Sequence, residues 1–516
     1  MLQARTLWEL IERRAAESPG ALMAVDENGR TMTFREYQDA AEGAAAGLQS
    51  LGVGAGVNVS WELPTRIESM VLVAALARLG AIQNPMLPIY RAREVGFIAG
   101  QTGARLLIVP SVWRGFDYQA MANEVAAQLD GLDVLVADRE LPSGDPASLP
   151  APPDTPDDPA DLPVRWLFYT SGTTADPKGA QHTDASVAAA AVGMSRVVEI
   201  NDADRSALVF PFTHIGGIVW LFTSLLTGCR LIVVEAFEPA TTIPTLAREG
   251  VTLAGAGTPF HMAYLAEQRK DPGKPLFPSV RAFPGGAAPK PPQLHYDAKA
   301  ELGGVGIVSG YGMTECPILS MNGVNDPDDK LADTEGRPTP GVDIRMVSVE
   351  GVDVGPGDDG EIRVKGPQLF RGYLDSALDA EAFDEKDYFR SGDLGRQDEA
   401  GFLTITGRLK DIIIRKGENI SAKEIEDLLY THPKVADVAV IGLPDPSLGE
   451  RCCAIVAIKE GSEPLAFTEM VDFLKDERLM MQKIPEQLEL VDSVPRNPSG
   501  KILKHKLRER FAVGGG

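Results

Sequence analysis

Through the first part of this chain, apolar runs of strand length alternate with stretches whose apolar positions recur every three or four residues. The pattern predicts a helix over 33–51, opened by the capping-box-like Thr33-Phe-Arg-Glu36. It predicts a strand over 58–62, a helix over 67–79 and a strand over 104–109. This is the βαβ rhythm of a parallel sheet with helices on its faces. Residues 1–14 read as a charged amphipathic helix. Residues 141–163, rich in Pro and Asp, read as a surface linker into a strand over 164–169. Further strands are expected over 251–256, 280–283 and 304–309, each ending in a Gly-rich turn. Open α/β sheets bind ligands beyond such strand ends.

The texture changes near residue 342 to strand–turn–strand, with strands over 342–347, 360–364 and 403–406 around the turn Gly355-Pro-Gly-Asp-Asp-Gly360. A further unit starts near Arg408, with helices over 421–429 and 467–478 and strands over 435–443 and 452–459. It reads as an α+β module of about a hundred residues, a common domain size. No internal repeat is visible.

The apolar stretch 207–237 is interrupted by Pro211, His214, Gly216, Gly217, Gly228, Arg230 and Glu235, too often for a membrane helix. It reads as strand 207–212, helix 218–226 and strand 230–234 of a buried core. A length of 516 residues exceeds what one core usually serves, so two to four domains are expected. The net charge of −23 argues against nucleic acid and anionic membranes as partners. Cys229, Cys316, Cys452 and Cys453 have no zinc spacing and are too sparse for a disulfide framework. With no signal peptide, a reducing cytoplasm fits.

The segment Tyr169-Thr-Ser-Gly-Thr-Thr-Ala-Asp-Pro-Lys-Gly179 combines hydroxyls, glycine and lysine in one turn. Ser171, Thr173 and Thr174 can donate to phosphate oxygens, Gly172 admits them to the backbone, and Lys178 adds a point charge. It suits a polyphosphate cradle but lacks Walker A spacing. Alone, such a cluster also fits a polar surface loop. Tyr311-Gly-Met-Thr-Glu315 follows a strand, where a carboxylate can help hold Mg²⁺ between phosphates. Asp393, in Ser391-Gly-Asp-Leu-Gly395, can accept from ribose hydroxyls or serve as a turn residue. Gly407-Arg-Leu-Lys-Asp411 and Pro495-Arg-Asn-Pro-Ser-Gly-Lys501-Ile complete the set.

In order and spacing, 169–179, 311–315, 360–366, 391–395, 407–421 and 495–502 resemble the core motifs of the adenylate-forming superfamily, which comprises acyl-CoA synthetases, nonribosomal peptide adenylation domains and firefly luciferase. The resemblance covers nearly the whole chain. It implies a large N-terminal α/β domain of doubly wound sheets with a β-rich subdomain, residues 1–409. A small mobile α+β domain, 410–516, would carry the catalytic lysine. Thr170, Ser171, Gly172, Thr173, Thr174 and Lys178 would bind the ATP phosphates. Gly286, Ala287 and Ala288, with Ser309, Gly310 and Tyr311, would flank adenine, and Gly312 and Met313 belong to the same turn. Thr314 would touch the α-phosphate, and Glu315 with Thr170 would assist Mg²⁺. Asp393 and Arg408 would hold the ribose, Lys410 would be the hinge, and Lys501 would reach the carboxylate and α-phosphate. Lys416, Gly417, Glu418 and Asn419 would line a pantetheine tunnel in a second half-reaction with CoA. The family usually has Gly where this chain has Ala175, a change expected to affect ATP affinity slightly.

Phe212-Thr-His-Ile-Gly-Gly217 resembles the segment that sets a gating aromatic or His beside the acyl carbonyl. His214, Ile215, Gly216, Gly217, Trp220, Gly285, Gly286, Gly310 and Met313 would form the acid site, the glycines leaving room. With Asn84-Pro-Met-Leu-Pro-Ile-Tyr-Arg91, this points to a medium-chain, cycloaliphatic or steroid-derived monocarboxylate, with aryl acids open. The expected enzyme is a cytoplasmic ATP-dependent acid–CoA ligase, a monomer or homodimer. Transfer to an amine or carrier protein, and nucleotide binding without turnover, are the alternatives.

Overall fold

The computed structural model describes residues 1–170, 177–288, 290–348, 350–415, 418–445, 447–497 and 500–512, without the side chains of Glu418 and Asn419. The chain forms a large α/β part, a β-rich extension and a small C-terminal α+β part.

One six-stranded sheet runs Lys178–His182, Trp166–Thr170, Ile82–Pro85, Asn58–Trp61, Leu106–Val109, Asp133–Val136. All its neighbours are parallel except the first pair. Leu106–Val109 is apolar and buried on both faces, as a central parallel strand requires. A second sheet orders Arg205–Leu208, Arg230–Val233, Leu22–Asp26 and Thr31–Thr33. A third starts with the parallel pair Phe283–Gly285 and Ile307–Tyr311. Helices Ile67–Leu79 and Ile215–Thr227 are buried almost all round. Their side chains join one core that reaches strands of the first two sheets.

Local signals placed several elements directly. Helix Phe34–Ser50 starts with the expected capping box between Thr33 and Glu36. The helix expected over 67–79 spans Ile67–Leu79. Elsewhere the boundaries move. The strand expected over 207–212 is Arg205–Leu208, and the helix behind it starts earlier, at Ile215, capped by His214. At 13 residues that helix is about 20 Å long, short of a bilayer core. Among the described residues no helix is long and apolar enough to cross a membrane. The strand expected over 251–256 shrinks to Leu253, which bridges in parallel to Ser206 and Ala282. That one residue joins the second and third sheets, and Gly257, at φ 151, turns the chain away.

The β-rich extension is the antiparallel sheet Asp343–Val347, Gly360–Lys365, Phe389–Gln397, Leu403–Arg408. A 3₁₀ turn, Leu409–Asp411, follows it. The chain then enters a five-stranded sheet built around Val435–Asp445 and Gly449–Ile458, with its own apolar core under helices Ala422–Tyr430 and Phe467–Asp476.

One group in the large core breaks the apolar rule. Glu62 directly follows the strand Asn58–Trp61 and is fully buried. Neither carboxylate oxygen has a hydrogen-bond partner among the described residues. Burial pushes its pKa well above the usual carboxylate range; the charge of Arg91 opposes the shift and that of Glu94 adds to it. The folded state therefore keeps a proton that the unfolded state releases near pH 4.3. Stability tied to that proton is present at acid pH and is lost as pH rises towards the folded pKa. Glu62→Gln, which cannot ionise, is expected to raise Tm over wild type, by more at pH 8 than at pH 5. Thermal unfolding across that range checks it; a pH-independent difference would show that Glu62 is not the titrating group.

Candidate active site

The strand Trp166–Thr170 runs into 171–176, outside the described residues, and the chain returns antiparallel as Lys178–His182. Ser171, Gly172, Thr173 and Thr174 therefore lie outside the described residues, as do Lys416 and Gly417. The ladder sets Lys178 opposite Thr170 at the base of the loop. The Lys178 ammonium lies 5.2 Å over the Tyr373 ring.

Asp393 is the most tightly held acid in the region. Its strand pairs it with Arg408, whose Nε donates to Oδ1 at 2.7 Å. Tyr311, at the end of its own strand, donates its hydroxyl to Oδ2 at 2.6 Å. Burial and then the Asp393 charge push the Tyr311 phenol far up. Burial disfavours the Arg408 charge, but Asp393, Tyr311 and Asp411 together outweigh it and raise the guanidinium's pKa. Each carboxylate oxygen retains a lone pair, so two adjacent hydroxyls can still be accepted.

Beyond Tyr311, Gly312 sits against the Ile318 amide, where a Cβ would come within 2.4 Å. Glu315 is buried, and its Oε1 accepts from the Tyr373 hydroxyl at 2.7 Å. The Thr314 carbonyl lies 2.8 Å from His182 Nε2. Ser309 bonds the Glu335 carboxylate through its hydroxyl, and its amide donates to Asn322 Oδ1 at 3.2 Å. A Cβ on Gly286 would stand 2.7 Å from the Gly310 carbonyl oxygen, so these two loops touch backbone to backbone. Ala287 takes a left-handed φ of 65°, which costs an alanine about 1 kcal/mol.

His214 caps the helix Ile215–Thr227, and its Nδ1 accepts from the Gly216 amide at 3.1 Å. That leaves the proton on Nε2. Burial, helped by the positive charge of Lys501, lowers its pKa to about 4, so the ring is neutral at physiological pH. Ile215 and Trp220 are buried in the same helix, and Met313 is half-buried. The glycines expected to leave room divide. At Gly217 a Cβ would meet the Phe212 carbonyl oxygen at 2.5 Å, and at Gly285 it would meet the His261 ring at 2.7 Å. Those two serve close packing instead, as does Gly286 against the Gly310 carbonyl oxygen. Gly310 has nothing nearer than 3.4 Å, and at Gly216 the nearest atom is His214 Nδ1 at 3.2 Å.

Lys501 comes from the small part. Next to it, Gly500 (φ 86°) presses on the large part, where a Cβ would meet Pro259 Cγ at 2.8 Å. Lys501 lines a cleft of about 1160 Å³ with Ala288, Tyr311, Asp393, Arg408 and Lys410. Desolvation, then the charges of Arg408 and Lys410, lower its pKa to about 8. Lys410 lies in the turn Leu409–Asp411, and burial followed by the Arg408 charge lowers its pKa. Asp411 receives Arg508 at 2.8 Å, and Ser421 donates to the Thr406 carbonyl at 2.5 Å across that turn. Glu418 and Asn419 belong to the strand Glu418–Ser421, paired within the small part's hairpin. Arg415, beside them, is ion-paired to Glu486.

His182, Tyr373 and Glu335 were not anticipated. None stands in a motif with recognisable spacing, and each is linked to the site by a partner distant in sequence.

Two family models match the chain: AMP-binding enzyme over residues 11–374, and AMP-binding enzyme C-terminal domain over 424–501. The medium-chain fatty-acid–CoA ligase of Escherichia coli (strain K12) is 30% identical over 96% of this chain and 89% of its own length. A salicyl-AMP ligase / salicyl-S-ArCP synthetase of Mycobacterium tuberculosis is also 30% identical, over 99% and 92%. ATP-bound MatB from Rhodopseudomonas palustris superposes with a TM-score of 0.88 at 26% identity, covering 98% of this chain and 99% of that one. Apo MatB gives 0.78 over the same shares and identity. The o-succinylbenzoate CoA synthetase of Bacillus subtilis in complex with ATP and magnesium ion gives 0.83 at 27% identity, over 96% and 98%.

Gly286→Ala is expected to wedge its loop from Gly310 and weaken MgATP binding about tenfold, the scale of a mild overpacking cost. Isothermal titration with MgATP measures it. An unchanged Kd would mean that these loops do not face the nucleotide.

Proposed function

The chain belongs to the AMP-binding enzyme family, and from that footing we propose that it activates an apolar monocarboxylate with ATP and transfers the acyl group to CoA. The observation that carries this reading is the position of Lys501, brought from the small part into the cleft that holds Asp393 and Arg408, with its charge felt at His214.

In the first half-reaction a carboxylate oxygen of the acid attacks the α-phosphorus of ATP. The P–O bond to pyrophosphate breaks, and an acyl-adenylate forms. Two anions must meet, so cationic and hydrogen-bonding groups decide the barrier. Lys501 supplies a positive charge below pH 8. Thr314 and the loop from Thr170 to Lys178 hold the phosphates. Asp393, held by Arg408 and Tyr311, accepts the ribose hydroxyls. Ser309, Tyr311 and the loop Gly286, Ala287, Ala288 flank the base. Among the described residues no cluster of three or more His, Cys, Asp or Glu could hold a metal. That suits Mg²⁺, which commonly takes one or two protein oxygens and completes its shell with phosphate and water. Glu315 and the Thr170 hydroxyl are suitable hard donors. The bound ion would neutralise phosphate charge.

In the second half-reaction the CoA thiolate attacks the acyl carbonyl and AMP leaves. Lys410, in the turn Leu409–Asp411, would act as the hinge of a small domain beginning there. Rotation about it would bring Lys416, Gly417, Glu418 and Asn419 to the cleft in place of Lys501. Of the residues assigned to the acid, His214, Ile215, Trp220 and Met313 are all uncharged at neutral pH, which supports an apolar medium-chain, cycloaliphatic or steroid-derived substrate. Four buried, unpaired cysteines support a reducing, cytoplasmic setting. The salicyl-S-ArCP synthetase relative favours a second reading, transfer to a carrier-protein thiol.

Mass spectrometry after incubation with MgATP, CoA and a panel of fatty, cycloaliphatic, steroid-like and aryl acids tests both readings. AMP with an acyl-CoA is expected; acyl-adenylate without thioester would favour the carrier acceptor. Lys501→Ala is expected to slow adenylation by about 10² or more while sparing thioester formation from supplied acyl-adenylate. Wild-type adenylation should decline as pH rises through 8, where Lys501 loses its charge. Equal loss in both half-reactions would mean that Lys501 does not act specifically in adenylation. Tyr373→Phe frees Glu315 from its hydroxyl donor and is expected to raise the Mg²⁺ concentration for half-maximal rate several-fold, of the order that losing a ligand's supporting hydrogen bond costs. A Mg²⁺ curve superimposable on wild type would separate Glu315 from the ion.

A further inference from the structure

His182 ends the strand Lys178–His182, four residues after Lys178. It is fully buried, between Phe168 and Phe370, with ring centroids at 6.0 and 6.4 Å. Its Nε2 is 2.8 Å from the Thr314 carbonyl. A carbonyl only accepts, so Nε2 carries a hydrogen and donates it. Its Nδ1 is 3.0 Å from Ser186 Oγ, in the first turn of helix Asp184–Val197. Burial keeps the ring neutral, with a pKa lowered to about 4. In a neutral ring with Nε2–H, Nδ1 has a lone pair turned towards the Ser186 hydroxyl, whose single hydrogen also faces the Thr183 carbonyl at 2.9 Å. One side chain thus joins the strand that leaves the phosphate loop, the helix after it and the turn bearing Thr314.

The turn is held both from within and from outside. Met313 and Cys316 bond each other's backbone at 3.2 Å in both directions, which closes the turn around Thr314. The Thr314 carbonyl is held from outside, by His182. The neighbouring Glu315 is held by Tyr373, and Tyr373 bridges Ala180 of the same strand. The Gln181 amide donates to Gly372 at 3.1 Å and the Leu374 amide to Gly179 at 2.8 Å, so the strand is stitched to 372–374 along its length. Both halves of the Thr314–Glu315 pair therefore take their position from the strand that begins at Lys178.

We propose that His182 is a positioning residue which, by donating to the Thr314 carbonyl, sets the distance between Thr314 and Lys178. The proposal rests on the function proposed for the site, in which Thr314 and Lys178 hold different phosphates of one ATP. Its consequence is specific: loss of the donor impairs ATP use before it impairs folding or use of the acid.

Two substitutions separate the donor from the bulk. His182→Gln keeps an N–H at a similar reach; His182→Leu keeps an apolar body and removes the donor. Kd for MgATP is measured by isothermal titration without any acid, and KM for ATP and for acid by pyrophosphate exchange. His182→Leu is expected to raise Kd and KM for ATP about tenfold, within what a small misplacement of a binding group costs, with KM for the acid within about twofold of wild type. His182→Gln is expected to recover most of that loss. Ser186→Ala, which retains His182 but removes the hydroxyl beside its Nδ1 and that hydroxyl's bonds to the Thr183 backbone, is expected to shift ATP binding in the same direction by a smaller factor, about two- to threefold. If Leu and Gln variants bind ATP alike, or if Leu lowers Tm and the active fraction while ATP Kd stays at the wild-type value, the proposal is overturned. Should His182→Leu fail to fold, Gln and Ser186→Ala decide: wild-type ATP binding in Ser186→Ala together with a Gln variant that binds ATP about tenfold or more weakly than wild type defeats it. Because Kd is read without acid, failure of every acid in the panel would count against the ligase reading alone.

Discussion

The buried carboxylate of Asp393 is the interaction on which the site turns. A charge taken out of water costs several kcal/mol unless it is paired and hydrogen-bonded. Here Arg408 supplies the pair and Tyr311 the second hydrogen bond, and these groups come from different elements. Satisfying one charge thereby ties the end of the strand Ile307–Tyr311 to the β-rich sheet. It also fixes Arg408 one residue before the turn into the small part. That turn, Leu409–Asp411, carries the chain from the β-rich sheet into the small part.

From Arg408 the influence passes by electrostatics. Its charge and that of Lys410 bear on Lys501, whose amine is already partly desolvated, and its pKa falls to about 8. Lys501 in turn helps hold His214 neutral. A cleft that gathers several cations has its positive groups assembled before any anion arrives, which is what phosphoryl transfer asks of a protein. The docking of Gly500 on Pro259 and the Ser421–Thr406 hydrogen bond keep the lysine at the cleft.

Much of the framework was legible because it is written locally. The capping box of Thr33 and Glu36 and the apolar helix Ile67–Leu79 need only neighbours within a few turns. The membership in the AMP-binding family was equally legible, since ordered motifs survive where pairwise contacts do not. The expected strand over 251–256 was misjudged because strand pairing is non-local: only Leu253 meets partners, on both sides, before Gly257 turns the chain away. Glycines were misjudged for a related reason. A missing Cβ can open a pocket or admit a neighbour, and at Gly217 and Gly285 it admits the Phe212 backbone and the His261 ring.

The residues alone determined the chemistry in stock: a loop of hydroxyls and a lysine, an acid after a Gly-rich turn, a lysine near the C-terminus. They also determined the alternation that makes parallel sheets. Only the tertiary structure decided which groups meet. His182 reaches Thr314 across 132 positions and Tyr373 reaches Glu315 across 58. Glu62 is fully buried, and its carboxylate finds no hydrogen-bonding partner among the described residues. Periodicity reports which face of an element is apolar, a property of near neighbours. The partner that a buried polar group finds depends on sheet order and crossover, which no local pattern encodes.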